Sequence, residues 1–316
     1  MSSKKIWLSI GLLALAAARA RSVQPASPHR EPSRPVRSAP VLPGKWTPNL
    51  LYAMLTSTNQ EAGRLLYRAA FAAGPAIIPQ LQAALSDDRT ATFAARSLAY
   101  IGGRQALDAL SKLVADPRNL DLRRFYYGAL GGSGVPSATA ILLHQIRNSD
   151  REPDRSVTQD AILALTVHSD AALVPQLRAI SKEITDPVIQ DDIENAAEVI
   201  ETRARYLSEH AGKTAGGSVG QAIRTYFIPA LEGAPTAAQA GNQHSPPVDV
   251  RMVSQTFSPN KARVLAHVIF ETPQALANYE MVLQKEGDAW RVASVWLGAE
   301  AKKAHPALPH PPVPKS

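Results

Sequence analysis

Four stretches of this chain repeat one plan, and that plan limits the fold more than any other feature. In the clearest copy, Ala94, Ala95, Leu98, Ala99 and Ile101 keep a helical spacing, Gly102-Gly103 interrupts it, and Leu107, Leu110, Leu113 and Val114 resume it before Asp116. The spacing predicts two short helices with a glycine break between them. Helices of about 12 residues are marginal in water without tertiary packing. Such a pair must stack on copies of itself, and the copies are present. Glu61 to Gly74 with Pro75 to Leu85 precede it. Asp121 to Leu130 with Ser137 to Ile146, then Val157 to Val167 with Ala171 to Ile184, follow it. The breaks at 74, 102, 134 and 169 lie 28, 32 and 35 residues apart, the period of helical repeats.

A longer segment from Pro187 to about Tyr206 closes the array. Ile189, Ile193, Ala196, Ala197, Val199 and Ile200 give it one apolar face, which suits an end cap. Asp186, Asp191 and Asp192 sit toward its positive end, and Arg203 and Arg205 toward its negative end. Residues 211–218 read as a flexible linker. Gly212-Lys213-Thr214 within it is no phosphate loop, because the earlier glycine is missing and no strand precedes it.

From 219 to 300 the period changes. Val219 to Leu231 is an amphipathic helix, and four runs of strand character follow: Val248 to Phe257, Ala262 to Phe270, Leu276 to Lys285, and Ala289 to Leu297. Ser258-Pro-Asn-Lys261 and Glu286-Gly-Asp288 are turn sequences joining antiparallel neighbours. In the second run Val264, Ala266, Val268 and Phe270 face one way, and Arg263, Leu265, His267 and Ile269 the other.

The residues Arg96-Ser-Leu-Ala-Tyr-Ile-Gly102, Ala106-Leu-Asp-Ala-Leu110 and Ala115-Asp116 resemble HEAT repeats of the short bacterial kind, also seen in phycobilisome-lyase-like proteins. The resemblance covers about 150 residues. It implies an armadillo-like α-solenoid whose inner helices line a concave groove for a protein partner, and it carries no catalytic activity with it. The helix and meander ending in Tyr279 to Trp296 resemble an NTF2-like module, which implies a cone between helix and sheet that takes a small ligand or serves association only. The expected fold is therefore mainly α: a HEAT-like solenoid of about four helix pairs (45–210), then a small α+β NTF2-like domain with an antiparallel sheet (219–300).

The ends are different in kind. Lys4 and Lys5, the apolar run Ile6 to Ala18 and Ala18-Arg-Ala20 have the three parts of a secretory signal peptide (1–20), so a periplasmic or secreted product is expected. An uncleaved signal would leave a membrane anchor. The 13-residue apolar run is short of the roughly 20 residues needed to span a bilayer. Residues 21–44 and 301–316 are proline-rich and read as a disordered linker and tail. The net charge of +7 belongs to these ends: residues 45 to 300 hold 24 Lys/Arg against 26 Asp/Glu. A nucleic-acid binder should carry its basic stripe on the folded part, so nucleic acid is not an expected partner. The chain has no cysteine, which removes thiolate catalysis and cysteine zinc sites.

No spacing among the eight histidines suits a zinc motif, there is no Gly-x-Ser-x-Gly, and no cofactor is implied. Asp87-Asp88 and Asp191-Asp192 each head a predicted helix, where capping accounts for them. The candidate partner-binding residues are Gln82, Lys112, His144, Arg147, Arg178 and Lys182 on the inner helices, and Arg123, Arg124 and Tyr126 on an outer one. If the C-terminal cone were instead a ligand or enzymatic site, Asp249 and His267 are its candidate pair. The expected function is an exported, non-catalytic scaffold or adaptor for a protein partner.

Overall fold

The computed structural model describes residues 60–115, 120–133, 135–168, 170–209, 217–232, 249–271 and 275–302. The signal-like segment, residues 21–44, most of the 211–218 linker and the tail beyond 302 lie outside these. The helical part consists of α1 (Gln60–Ala73), α2 (Ile78–Ala84), α3 (Asp88–Ile101), α4 (Arg104–Ala115), α5 (Leu120–Gly131), α6 (Pro136–Arg147), α7 (Arg155–Leu165), α8 (Leu173–Ser181) and α9 (Pro187–Glu209). A 3-10 turn, Gly74–Ile77, leads into α2. Each predicted pair is present. One continuous apolar core runs from Leu66 in α1 to Ile200 in α9 and includes Leu98, Leu110, Leu130, Ile146, Leu165 and Leu177.

Local chemistry sets the helix ends. The Asp87 carboxylate accepts from the Arg89 backbone N–H at 3.0 Å and caps α3, and Asp154 does the same for Ser156 at 3.0 Å in front of α7. Pro136 opens α6, where a missing N–H costs little. At α9 the sequence expectation is corrected: Asp186, not Asp191-Asp192, accepts from the Val188 N–H at 2.9 Å. Asp192 lies inside the helix and instead accepts from the Gln159 amide of α7 at 2.8 Å.

The C-terminal part is one helix, α10 (Val219–Glu232), and a four-stranded antiparallel meander in the order β1 (Asp249–Phe257), β2 (Arg263–Glu271), β3 (Ala275–Glu286), β4 (Ala289–Lys302). The edge strand β1 carries a bulge between Met252 and Ser254. Strand β4 continues beyond Leu297, where the alternation in the sequence stops, to Lys302.

Both faces of this sheet are covered. Val264, Ala266, Val268, Phe270, Met281 and Leu283 pack under α10, against Ile223, Tyr226 and Phe227. Leu265 and Val282 on the opposite face pack against Phe71 of α1 and Tyr100 of α3, with Tyr67 and Trp296 alongside. The helix array and the sheet therefore share an apolar seam. β2 is buried along nearly its whole length because it is the central layer of the contact.

Candidate functional site

The first helix of each pair and the second meet different surroundings. Tyr67, Phe71, Tyr100 and Phe125, all on first helices, point into the seam with the sheet. The second helices α2, α4, α6 and α8 present Gln82, Lys112, His144, Arg147, Arg178 and Lys182, all exposed. Arg178 Nη2 lies 2.8 Å from Glu201 of α9. The Asn148 amide donates to the His144 carbonyl at 2.7 Å and lies 3.3 Å from His144 Nε2.

The α5 candidates are placed differently. Tyr126 is fully buried, so it is a core residue and not part of a contact surface. Arg123 pairs with Glu152 at 2.9 Å, Arg124 with Asp160 at 2.5 Å, and the Tyr127 hydroxyl donates to Gln145 at 2.9 Å. These side chains stitch α5 to its neighbours. Of the residues that the sequence offers there as an interface, Tyr126 is buried, Arg123 is half-buried and Arg124 remains exposed.

Asp249 and His267 are not brought together. Asp249 stands exposed at the start of β1 opposite Glu271, while His267 lies four residues along β2, about 13 Å away at 3.3 Å per residue. His267 shares its parity with Leu265, so it faces the helix array and not α10. There its ring lies 3.2 Å from the Asn278 amide oxygen. Burial, reinforced by Arg64 and Arg68 and opposed by Asn278 and Glu280, lowers its pKa. Around Phe227 the space between α10 and the sheet is filled: Phe227 stacks on Phe270 with ring centroids 5.2 Å apart and meets Tyr279 at 5.4 Å. At that end the expected cone is packed core, because Phe227 from the helix occupies it.

What the sequence reading missed is the chemistry of the seam. Arg263 opens β2 with only 8% of its surface exposed, and its guanidinium reaches into the helix array. Nη1 donates to the Ser133 carbonyl at 3.2 Å and to Gln284 at 3.1 Å. Nη2 donates to Gly132 O at 3.2 Å and Ala99 O at 3.3 Å. Ala99 lies in the last turn of α3, and Gly132 and Ser133 directly follow α5, so the guanidinium sits at the negative ends of two helix dipoles. Burial lowers the Arg263 pKa to about 10, so it remains a cation at neutral pH. Gly102, at φ +68°, ends α3 and leaves the room this guanidinium occupies.

Arg96 forms a second contact across the seam. Its guanidinium carbon lies 5.1 Å from the Tyr67 ring, 5.4 Å from Tyr100 and 5.1 Å from Trp296 of β4. Nε donates to the Tyr100 hydroxyl at 2.5 Å, and that hydroxyl donates to the buried Glu280 carboxylate of β3 at 3.1 Å. Burial, with Glu280 adding to it and Arg96 opposing, raises the Tyr100 pKa well above its ordinary value. The phenol therefore stays protonated and keeps donating. A legible signal existed for this interface: β2 carries Leu265 and Ile269 on the parity opposite to Val264, Ala266, Val268 and Phe270, so apolar residues lie on both its faces.

Among the described residues no group of three His, Asp or Glu side chains is arranged to hold a metal ion, and no helix is long and apolar enough to cross a membrane.

A family model for HEAT repeats matches residues 75–166, from the start of α2's leading turn to the end of α7. No curated protein and no solved structure matches the chain. The match takes in the second and third pairs whole, the second helix of the first and the first helix of the fourth. It supports a protein-interaction or scaffold role of the kind HEAT repeats serve.

Proposed function

We propose that this protein is an exported, non-catalytic scaffold that holds a protein partner on the layer formed by α2, α4, α6 and α8. The carrying observation is the seam. The first-helix face of the array is occupied by the chain's own sheet, so the second-helix layer is the repeat surface left for a partner. Lys112, Arg147 and Lys182 on that layer suit a partner surface that carries carboxylates. The C-terminal module, read as NTF2-like, serves association in this scheme, and the association is internal. Export rests on the charged start and apolar run of residues 1–20.

The test is capture of partners from an envelope extract by the full-length protein and by a Lys112→Glu/Arg147→Glu/Lys182→Glu variant. These exposed positions lie outside the core, so the variant should fold. A partner held by the parent and lost by the variant supports the reading. Equal capture by both, or none by either, overturns it. Intact mass of the mature protein decides export separately: a chain still beginning at Met1 refutes cleavage.

A further inference from the structure

A cleft of about 770 Å³ opens where the end of the helix array meets the C-terminal module. That size falls in the range of small-molecule sites, roughly 300–1,000 Å³. Its walls come from α6, α8, α9, α10 and the β3–β4 hairpin, so neither part forms it alone. Apolar wall is supplied by Leu173, Val292 and the Trp290 ring, and polar wall by Thr139 and Gln176.

The buried charge in this cleft is Arg203 of α9. It is 7% exposed, and its guanidinium carbon lies 4.3 Å from the centre of the Tyr226 ring. Nη1 donates to the carbonyls of Thr166 and His168 at the end of α7, while Nε has no hydrogen-bond partner. The carboxylates that line the same cleft, Asp170 and Glu286, are exposed, unlike Arg203. Asp170 accepts from the Ala172 N–H at 2.9 Å, and Glu286 pairs with Arg291 at 2.7 Å. Backbone carbonyls and a ring face offset a guanidinium only in part, since neither carries a full negative charge. His168 adds no second positive charge at neutral pH, because burial lowers its pKa and Arg203 lowers it further, outweighing Asp170.

We propose that this junction cleft binds a small organic monoanion, a carboxylate on an apolar or aromatic body. The carboxylate would face Arg203, and the body would lie along Trp290, Val292 and Leu173. One buried cation without a carboxylate partner calls for one negative charge, and a carboxylate accepts a charge-assisted hydrogen bond from a guanidinium. This site shares α6 and α8 with the second-helix surface but uses other residues of theirs, and it does not rest on the scaffold reading.

The test uses hydrocinnamate and its neutral amide as probes, with calorimetry or ligand-observed NMR on the full chain. The acid should bind at least about tenfold more tightly than the amide, the effect of one charge-assisted contact. Thr139→Trp fills the cleft from a half-buried helix position and should weaken both probes. Gln176→Glu adds a competing negative charge at an exposed position and should weaken only the acid. Arg203→Gln should equalise the probes, and because Arg203 also ties α9 to α7, the two other variants carry the test if this one does not fold. Equal affinity for acid and amide in the parent, acid binding unchanged in Thr139→Trp, or no binding of either probe up to about 5 mM, near the weakest measurable affinity, overturns the proposal.

Discussion

Two adjacent glycines offer a sharp test of the seam. Gly102 and Gly103 both have positive φ, +68° and +83°, so an alanine at either meets backbone strain. For Gly102, with ψ −168°, the conformation lies in a region nearly reserved to glycine, at a cost of about 1–3 kcal/mol for another residue. Their surroundings differ. A Cβ on Gly103 has nothing within 4 Å, whereas one on Gly102 would lie 2.2 Å from Arg263 Nη1, 2.5 Å from its Cζ and 2.6 Å from the Ser133 carbonyl oxygen. The guanidinium must then leave its acceptors. Each hydrogen bond to a charged group contributes about 1.5–3 kcal/mol, so losing two of the four costs about 3–6 kcal/mol. Gly103→Ala should therefore lower stability by about 1–2 kcal/mol, the backbone part alone. Gly102→Ala should exceed it by at least about 3 kcal/mol, which in a body of this size separates their melting temperatures by about 6–12 °C. Thermal melts followed by far-UV circular dichroism measure this directly. In an Arg263→Ala background the Gly102→Ala increment should shrink, giving a coupling of about 1–3 kcal/mol. Equal melting of the two glycine variants, or no coupling, refutes the role given to Arg263.

Other consequences are open to measurement. Tyr100→Phe removes the hydroxyl between Arg96 and Glu280 and leaves the carboxylate short of a donor, so stability should fall by about 1–3 kcal/mol in denaturant titrations. Stability should also fall on acidification. The folded state holds His267 at a lowered pKa, so the unfolded chain binds the extra proton, and the contribution is lost as pH falls through about 6.5. His267→Gln should accordingly flatten the decline in melting temperature between about pH 7.5 and pH 5.5 relative to the parent. Finally, the shared seam predicts that the full chain unfolds in one transition by near- and far-UV circular dichroism. A fragment ending at Glu209 would leave Phe71 and Tyr100 uncovered and should bind a hydrophobic dye that the parent does not. Two separate transitions in the parent would mean that the modules are energetically independent.

The sequence by itself determined the elements. Helix and strand periods are local properties, so the glycine-broken pairs, the closing helix, the meander and even the two parities of β2 could be read from spacing. Asp87 at the start of α3 was legible for the same reason, since a cap and the N–H it accepts from are two residues apart. Only the tertiary structure decided which surfaces meet. The outward-looking aromatics of α5 turned inward, the cone closed around Phe227, and His267 took the face opposite to the one a ligand site would need. Arg263 is the plainest case: its backbone acceptors lie 130 to 164 residues away at two different helix ends. Nothing near it in the chain marks it as anything but a strand residue at a turn. Long-range burial of that kind follows from the fit of two completed surfaces, and a periodicity argument reaches only to the edge of each one.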